Sequence, residues 1–371
     1  MRVAHKRLGR MAVPIALFTL PGLVMAGCGG SGGSSGSSGG GSGTKEVKIM
    51  LLTKDATNPF WQAMQKGAQD QVAKEQNVKL TLASGKADGD EQSQVDQIEQ
   101  SIARGDDGIL IANNGPGVNP AIKKARDAGM HVIALDSPTT PPDVVEATLA
   151  TDNFEAGQVI GKWMAAQLNG QKAIIAMLPA FNDKIVQVDT DRYQGFLDGM
   201  GIDLADKSKK GDEAPTGKYT GGKGGDYQIV CSEPSQATVD GGKTAMERCL
   251  TKNSAINTVY SINEPDGEGA AQAVKAAGSK AVIVSVDGGC QGVQDVKDGI
   301  LGATAQQYPV KMAEQGVQAI VSVVRGGELP KPDAGKDFVN TGVKLVTDKQ
   351  VTGLESITTS EASSICWGTK K

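Results

Sequence analysis

Asp136 and Asp287 each stand at the end of a β-rich apolar run, one in each half of the 371-residue chain. Two carboxylates brought face to face could serve as general acid and partner base or nucleophile of glycoside hydrolysis, which needs them roughly 5–9.5 Å apart and one with a raised pKa. Their surroundings favour a different chemistry. Other run ends carry Lys54 to Asn58, Ser84, Asn113 and Asn114 in the first half, and Asn182, Asp183, Ser235, Gln236, Asn263 and Glu264 in the second. This set is rich in bidentate hydrogen-bonding groups and poor in nucleophiles, so it suits holding a small neutral polyol better than cleaving one. The only histidines are His5 and His131, which leaves little material for imidazole catalysis or a His metal site; His131, at the start of a β-rich run, reads as structural. No GxSxG elbow, Walker motif or dinucleotide fingerprint stands at a strand-to-helix turn. Gly221-Gly222-Lys223-Gly224-Gly225 lacks that setting and the following Ser or Thr of a phosphate loop. No cofactor and no metal are expected.

A site at run ends presupposes a sheet, because ligands of open parallel sheets bind beyond the carboxyl ends of the strands, where loops converge and helix N-termini point. From Glu46 onward β-rich runs alternate with amphipathic helical stretches, the pattern of a parallel sheet covered on both faces. The first half predicts strands over 47–52, 79–83, 108–112 and 131–135, with helices over 59–75, 91–104 and 119–128. The order then restarts, with strands over 173–178, 227–231, 258–262 and 281–286 and helices over about 191–200, 238–250 and 267–277. The repeat is one of architecture and not of sequence identity. It implies an α/β chain of two doubly wound parallel-sheet lobes. A helix over 309–325 and a β-rich run over 338–346 remain, and by packing back they would supply several hinge strands. The expected division is 45–151 with 308–339 for the N-terminal lobe and 152–307 with 340–371 for the C-terminal lobe. The Lys- and Gly-rich stretch 207–225 is expected to be a mobile surface loop.

Arg2, Lys6, Arg7 and Arg10 flank an apolar run from Met11 to Met25 that is too short and Pro-broken to span a bilayer, which predicts a signal peptide over 1–27. Ala26 and Gly27 before Cys28 fit the cleavage pattern of bacterial lipoproteins, although Met25 stands where Leu is usual. Cys28 would then carry the lipid, and the Gly/Ser segment over 28–44 would be a flexible tether. More than one acyl chain would hold the exported protein at the outer face of the cell membrane, since a single chain anchors only marginally. Ordinary secretion without lipid is the alternative. The roughly 340 residues that remain exceed what one core usually serves. The 38 basic residues, less the four of the leader, face 42 acidic ones with no basic cluster, which argues against nucleic acid as a partner. Cys231, Cys249, Cys290 and Cys366 suggest two disulfides in an exported chain and allow three connectivities. Cys231 with Cys249 and Cys290 with Cys366 is preferred, because the first would join a strand to the next helix and the second would staple the C-terminal tail. Four free thiols remain the alternative. No spacing suggests zinc.

Six segments carry a family likeness: Thr57-Asn58-Pro59-Phe60-Trp61, Ile133-Ala134-Leu135-Asp136, Arg192-Tyr193-Gln194-Gly195-Phe196, Tyr260-Ser261-Ile262-Asn263-Glu264-Pro265, Val286-Asp287-Gly288-Gly289 and Ala305-Gln306-Gln307-Tyr308-Pro309. In their order and spacing, over about 45–349, the chain resembles the periplasmic sugar-binding proteins of bacterial ABC importers, in the ribose and fructose branch. The resemblance implies the type I binding-protein fold, with Asn58, Phe60, Trp61 and Asp136 contacting sugar from the first lobe, Asn263 and Asp287 from the second, and Gln307 at a hinge crossing. Ser137 stands where the ribose-type pattern has Arg, and Lys54 where a small hydroxyl residue is usual; both point towards a fructose-like or other hexose ligand. Thr190 aligns with a second-lobe arginine, leaving Arg192 or Asp189 as substitutes, and Gln236-Ala237-Thr238 replaces an expected aromatic, which would make the aromatic sandwich one-sided. Local readings compete: Asn58-Pro59 is also a helix start and Asn263 a helix cap, Phe60 and Trp61 also suit a core, and Asp136 and Asp287 also suit turns. The implied protein is a lipid-anchored monomer that passes a monosaccharide to an ABC permease and its ATPase. A sugar-sensing co-receptor for a membrane kinase would use the same fold and site.

Overall fold

The computed structural model describes residues 44–369; the expected signal peptide, Cys28 and the tether up to Gly43 lie outside the described residues. In chain order the strands are β1 (Val47–Thr53), β2 (Val78–Ser84), β3 (Gly108–Ile111), β4 (His131–Leu135), β5 (Ala147–Ala150), β6 (Ala173–Leu178), β7 (Thr216–Tyr219), β8 (Gly225–Ser232), β9 (Thr258–Ser261), β10 (Val282–Asp287), β11 (Ala303–Gln306), β12 (Val339–Asn340) and β13 (Lys344–Val346). The helices are α1 (Pro59–Val72), α2 (Glu91–Arg104), α3 (Asn119–Asp127), α4 (Asn153–Leu168), α5 (Gln187–Met200), α6 (Val239–Lys252), α7 (Glu264–Ala276), α8 (Cys290–Lys297), α9 (Pro309–Val324) and α10 (Thr359–Ala362). Two sheets result, ordered β12-β5-β4-β3-β1-β2 and β13-β11-β10-β9-β6-β8-β7. Every pairing in the first is parallel, and in the second only the edge strands β7 and β13 run antiparallel. The two doubly wound lobes of the sequence reading are therefore present.

Burial on both faces explains why the central strands read as continuous apolar runs. Ile49, Met50, Leu51 and Leu52 of β1 are all fully buried. Helix α9 covers β1, β3, β4 and β5 with Met312, Ala313, Val317 and Ile320, so the leftover helix returns to the first sheet. In the second lobe α4 and α5 touch backbone to backbone. A Cβ on Gly157 would stand 2.2 Å from the Arg192 carbonyl oxygen, and one on Gly195 2.1 Å from that of Phe154. Only glycine permits this approach, and it sets the position of α5 and of Arg192 upon it.

The chain crosses between the sheets three times: from β5 into α4, from β11 into α9, and from β12 into β13. The single β-rich run expected over 338–346 is thus two short strands, one in each sheet. Asn340 still pairs with Ala150, which moves the expected boundary at 339 to the turn after Asn340. Six elements are absent from the sequence reading: β5, α4, β7, α8, β11 and α10. The stretch 207–225 is not wholly loop, because Thr216–Tyr219 pairs with Gly225–Gln228 as a hairpin, and Lys210 reaches the buried Asp189. Both preferred disulfides are formed, Cys231–Cys249 with Cα atoms 5.7 Å apart and Cys290–Cys366 with Cα atoms 4.9 Å apart.

Candidate functional site

The carboxyl ends of the two sheets face one another, and the loops there enclose a small cavity. From the first lobe it is lined by Lys54, Asn58, Phe60, Trp61, Asp88 and Asp136, and from the second by Phe181, Arg192, Ala237, Asn263 and Asp287, with Gln307 at the crossing. Nine of the ten sequence-derived ligand residues therefore meet in one place. Past Asn58, Asp88, Phe181, Ala237 and Asp287 the cavity continues into a wider outer cleft.

The two strand-end aspartates share an unusual backbone. Asp136 has φ 63° and Asp287 φ 146°, conformations that cost about 1–3 kcal/mol each and persist where the surroundings over-determine them. Asp136 is 2% exposed. Its Oδ2 accepts from Ser137 Oγ at 2.9 Å, whereas Oδ1 has no protein partner. Burial pushes the Asp136 carboxyl above the usual carboxylate range, and the positive charges of Lys54 and Arg192 oppose that without cancelling it. Asp287 accepts from Gln307 Nε2 at 2.8 Å and from the Glu264 N–H at 3.4 Å, and Arg192 Nη1 lies 3.9 Å from its Oδ1. Burial lifts the Asp287 pKa to about 6, with Arg192 the main opposing influence.

Arg192 projects from α5 and is aimed by Asn153 Oδ1, which accepts from its Nε at 2.8 Å, and by the Ile262 carbonyl, which accepts from Nη1 at 3.0 Å. Of the two substitutes for the arginine that Thr190 lacks, Arg192 is thus the one beside the carboxylate. Asp189 is committed elsewhere, accepting from the N–H groups of Ala180 and Phe181 at 3.0 and 3.2 Å and from Lys210. Glu264 is also occupied, by Gly288 and Gly289 N–H and by Thr304 Oγ1. Burial, then the neighbouring Asp287, raises its pKa well above normal.

Several residues serve structure and site together. Asn58 caps α1, its Oδ1 accepting from the Phe60 N–H at 2.9 Å. Asn263 caps α7 through Asp266 N–H at 3.0 Å and donates Nδ2 to the Ala237 carbonyl at 3.2 Å. Both local readings hold, and both residues still line the cavity. Phe60 and Trp61 are packed edge to face with centroids 4.8 Å apart, and Trp61 Nε1 is buried without a partner. Lys54 Nζ sits 5.7 Å from the centre of the Trp61 ring and 3.5 Å from Asp88 Oδ1, within cation–π range. Gln307 Oε1 is likewise buried and unpartnered.

Two expectations change. Gln236 is exposed at the rim of the outer cleft instead of in the cavity. Successive positive φ values at Gln236 and Ala237, 56° and 57°, turn the chain so that Ala237 takes the wall position. The second lobe does present an aromatic ring, Phe181, from the loop after β6, so the site is not one-sided in its aromatics. Its sequence signal was an aromatic three residues beyond a strand end in a chain with 4% aromatic residues.

A family model described as a periplasmic binding protein domain matches residues 49–328. The ribose import binding protein of Salmonella typhimurium is 27% identical over 280 residues, covering 75% of this chain and 85% of that protein. The D-ribose/D-allose-binding protein of Pseudomonas aeruginosa is 26% identical over 314 residues, covering 81% and 88%. Among solved structures, an ABC transporter solute-binding protein from Agrobacterium vitis with bound D-fucose superposes with a TM-score of 0.68 at 27% identity, covering 82% of this chain and 97% of that one.

Proposed function

This chain belongs to the periplasmic binding protein family, and we propose that within it the protein captures a monosaccharide, fructose-like or another hexose or pentose, and delivers it to an ABC permease with its ATPase. The reading rests on one observation above all: Asp136 Oδ1, Gln307 Oε1 and Trp61 Nε1 are buried polar atoms without a protein partner, and all three residues border the same cavity. A buried polar group left unpaired costs about 1–3 kcal/mol. Two acceptors and a donor between aromatic rings are complementary to a sugar, whose rim hydroxyls give and take hydrogen bonds while its C–H faces lie against aromatic surface. The names of the similar proteins, which bind ribose, allose or D-fucose, point the same way.

Binding proceeds without chemistry on the sugar. Periplasmic binding proteins close two domains around a ligand by hinge motion. Here the three crossings would flex while the lobes, divided after residues 151, 307 and 340, move as bodies. In the open state one lobe holds the sugar; closure adds Arg192, Asn263 and Asp287 from the other and removes water from the cleft. Sugar stabilises the closed form only through its better fit there, and about 5.5 kcal/mol of difference would shift a 1:99 population to 99:1. The protein is proposed to act as a monomer, exported and held by lipid on Cys28 at the outer face of the membrane, with the energy of transport supplied by the partner ATPase.

A thermal-shift screen over monosaccharides and polyols tests this reading. A ligand at 100 times its Kd adds about 2.7 kcal/mol to stability, a rise of several degrees, and at least one sugar is expected to give it. A flat response to pentoses, hexoses and inositols alike would refute the proposal.

A further inference from the structure

We propose that Trp367, from the C-terminal segment beyond the family match, is a positioning residue that sets two walls of the cleft at once; this rests on the sugar-binding reading above. Its ring meets Phe60 edge-on with centroids 5.4 Å apart and planes at 82°, and Phe60 in turn braces Trp61 at 4.8 Å. Its Nε1–H donates to the Gln307 carbonyl at 2.8 Å, and the Gln307 side chain donates to Asp287 at 2.8 Å. One side chain therefore supports the first-lobe aromatic pair through its ring contact with Phe60 and the second-lobe carboxylate through its N–H.

Three features hold Trp367 in place. The adjacent Cys366 is bonded to Cys290. The Cys290 N–H donates to the Trp367 carbonyl at 2.9 Å. At Gly289 an added Cβ would stand 3.2 Å from the ring, so the indole lies directly against the backbone that follows Asp287. The disulfide thus ties the tail to the turn that carries the carboxylate, and Trp367 ends up 8% exposed between that turn and Phe60. Ligand geometry depends on side chains locked by the groups behind them, and a loosened support lets the site drift by ångströms.

Calorimetric titration with the sugar of largest thermal shift gives the reference affinity. Trp367→Ala is expected to weaken binding by about tenfold or more. Trp367→Phe restores a ring against Phe60 but lacks the N–H, and should recover part of that loss. The double variant Cys290→Ser/Cys366→Ser keeps the indole but frees the tail, and should weaken binding by about threefold or more. A merely structural role would lower the melting temperature without changing the affinity of the folded protein. Wild-type binding together with an unchanged Kd in folded Trp367→Ala overturns this inference and leaves the sugar reading standing; wild-type protein that binds no sugar overturns both. Should Trp367→Ala not fold, the other two variants decide, and wild-type affinity in both overturns the inference.

Discussion

Replacing Asp136 by Asn should move affinity and stability in opposite directions. The position has φ 63°, which Asn tolerates as Asp does, so the substitution keeps shape and backbone and removes only the charge and one acceptor. A pKa raised by burial means that the native state holds the proton more firmly than the unfolded chain. The ionised form at neutral pH therefore weakens the fold, and taking the charge away relieves that cost. The sugar loses what the fold gains. Hydrogen bonds to a charged group contribute about 1.5–3 kcal/mol against about 0.5–1.5 for neutral pairs. Oδ1, which no protein group uses, is the atom free to accept a sugar hydroxyl. One weakened bond and one lost acceptor position amount to about 1.5–3 kcal/mol, or about 10–100-fold in Kd. Calorimetric titration and melting of the unliganded protein read the two quantities separately. A Kd within about threefold of wild type, or a melting temperature several degrees lower with Kd unchanged, would refute the reasoning and make Asp136 a support of the fold.

The other predictions concern pH, covalent links and location. Burial raises the Asp287 pKa from 3.8 to about 6, so its contribution to unliganded stability is present below the unfolded value and is lost as pH rises through about 6, while sugar affinity should rise across the same window. Titrations at pH 5 and pH 7.5 should differ by about tenfold in Kd in favour of the higher pH; equal values would mean that Asp287 does not receive sugar hydroxyls as a carboxylate. Removing the Cys231–Cys249 bond, whose partners are 18 residues apart, should cost about 3 kcal/mol of stability and leave Kd unchanged, as followed by denaturant unfolding and calorimetry. Cys28→Ala should shift the protein from the membrane to the soluble fraction of the cell envelope, and unaltered fractionation would remove lipid from the account.

How legible an element is in this sequence follows from its punctuation and its burial. Helix α2 can be read to the residue because Asp90 accepts from the Ser93 N–H at one end and Gly105 adopts φ 66° at the other. Strand β4 is equally plain, His131 followed by four apolar residues that enter the core. By contrast β5 and β11 are four-residue segments rich in Ala and Thr, with little apolar bulk to mark them as core strands. Helix α4 buries residues on most of its circumference, including Gly157, Gly161 and Trp163, so the alternation that marks a surface helix is missing. The carboxylates and Asn263 were legible because a strand end is a geometric address. Phe181 and Ala237 were not, since which residue of a loop faces inwards depends on turns such as the double positive φ at Gln236 and Ala237. The choice of Arg192 over Asp189 required the contact with Lys210 from a distant loop.

The most direct measurement is a crystal structure of the protein grown with the sugar that most raises its melting temperature. One intact ring is expected inside the cavity, with Asp136 Oδ1 and Gln307 Oε1 within hydrogen-bond distance of its hydroxyls and Arg192 and Asp287 reaching it from the other lobe. A sugar bound elsewhere on the surface, or one found cleaved in the cleft, would contradict it.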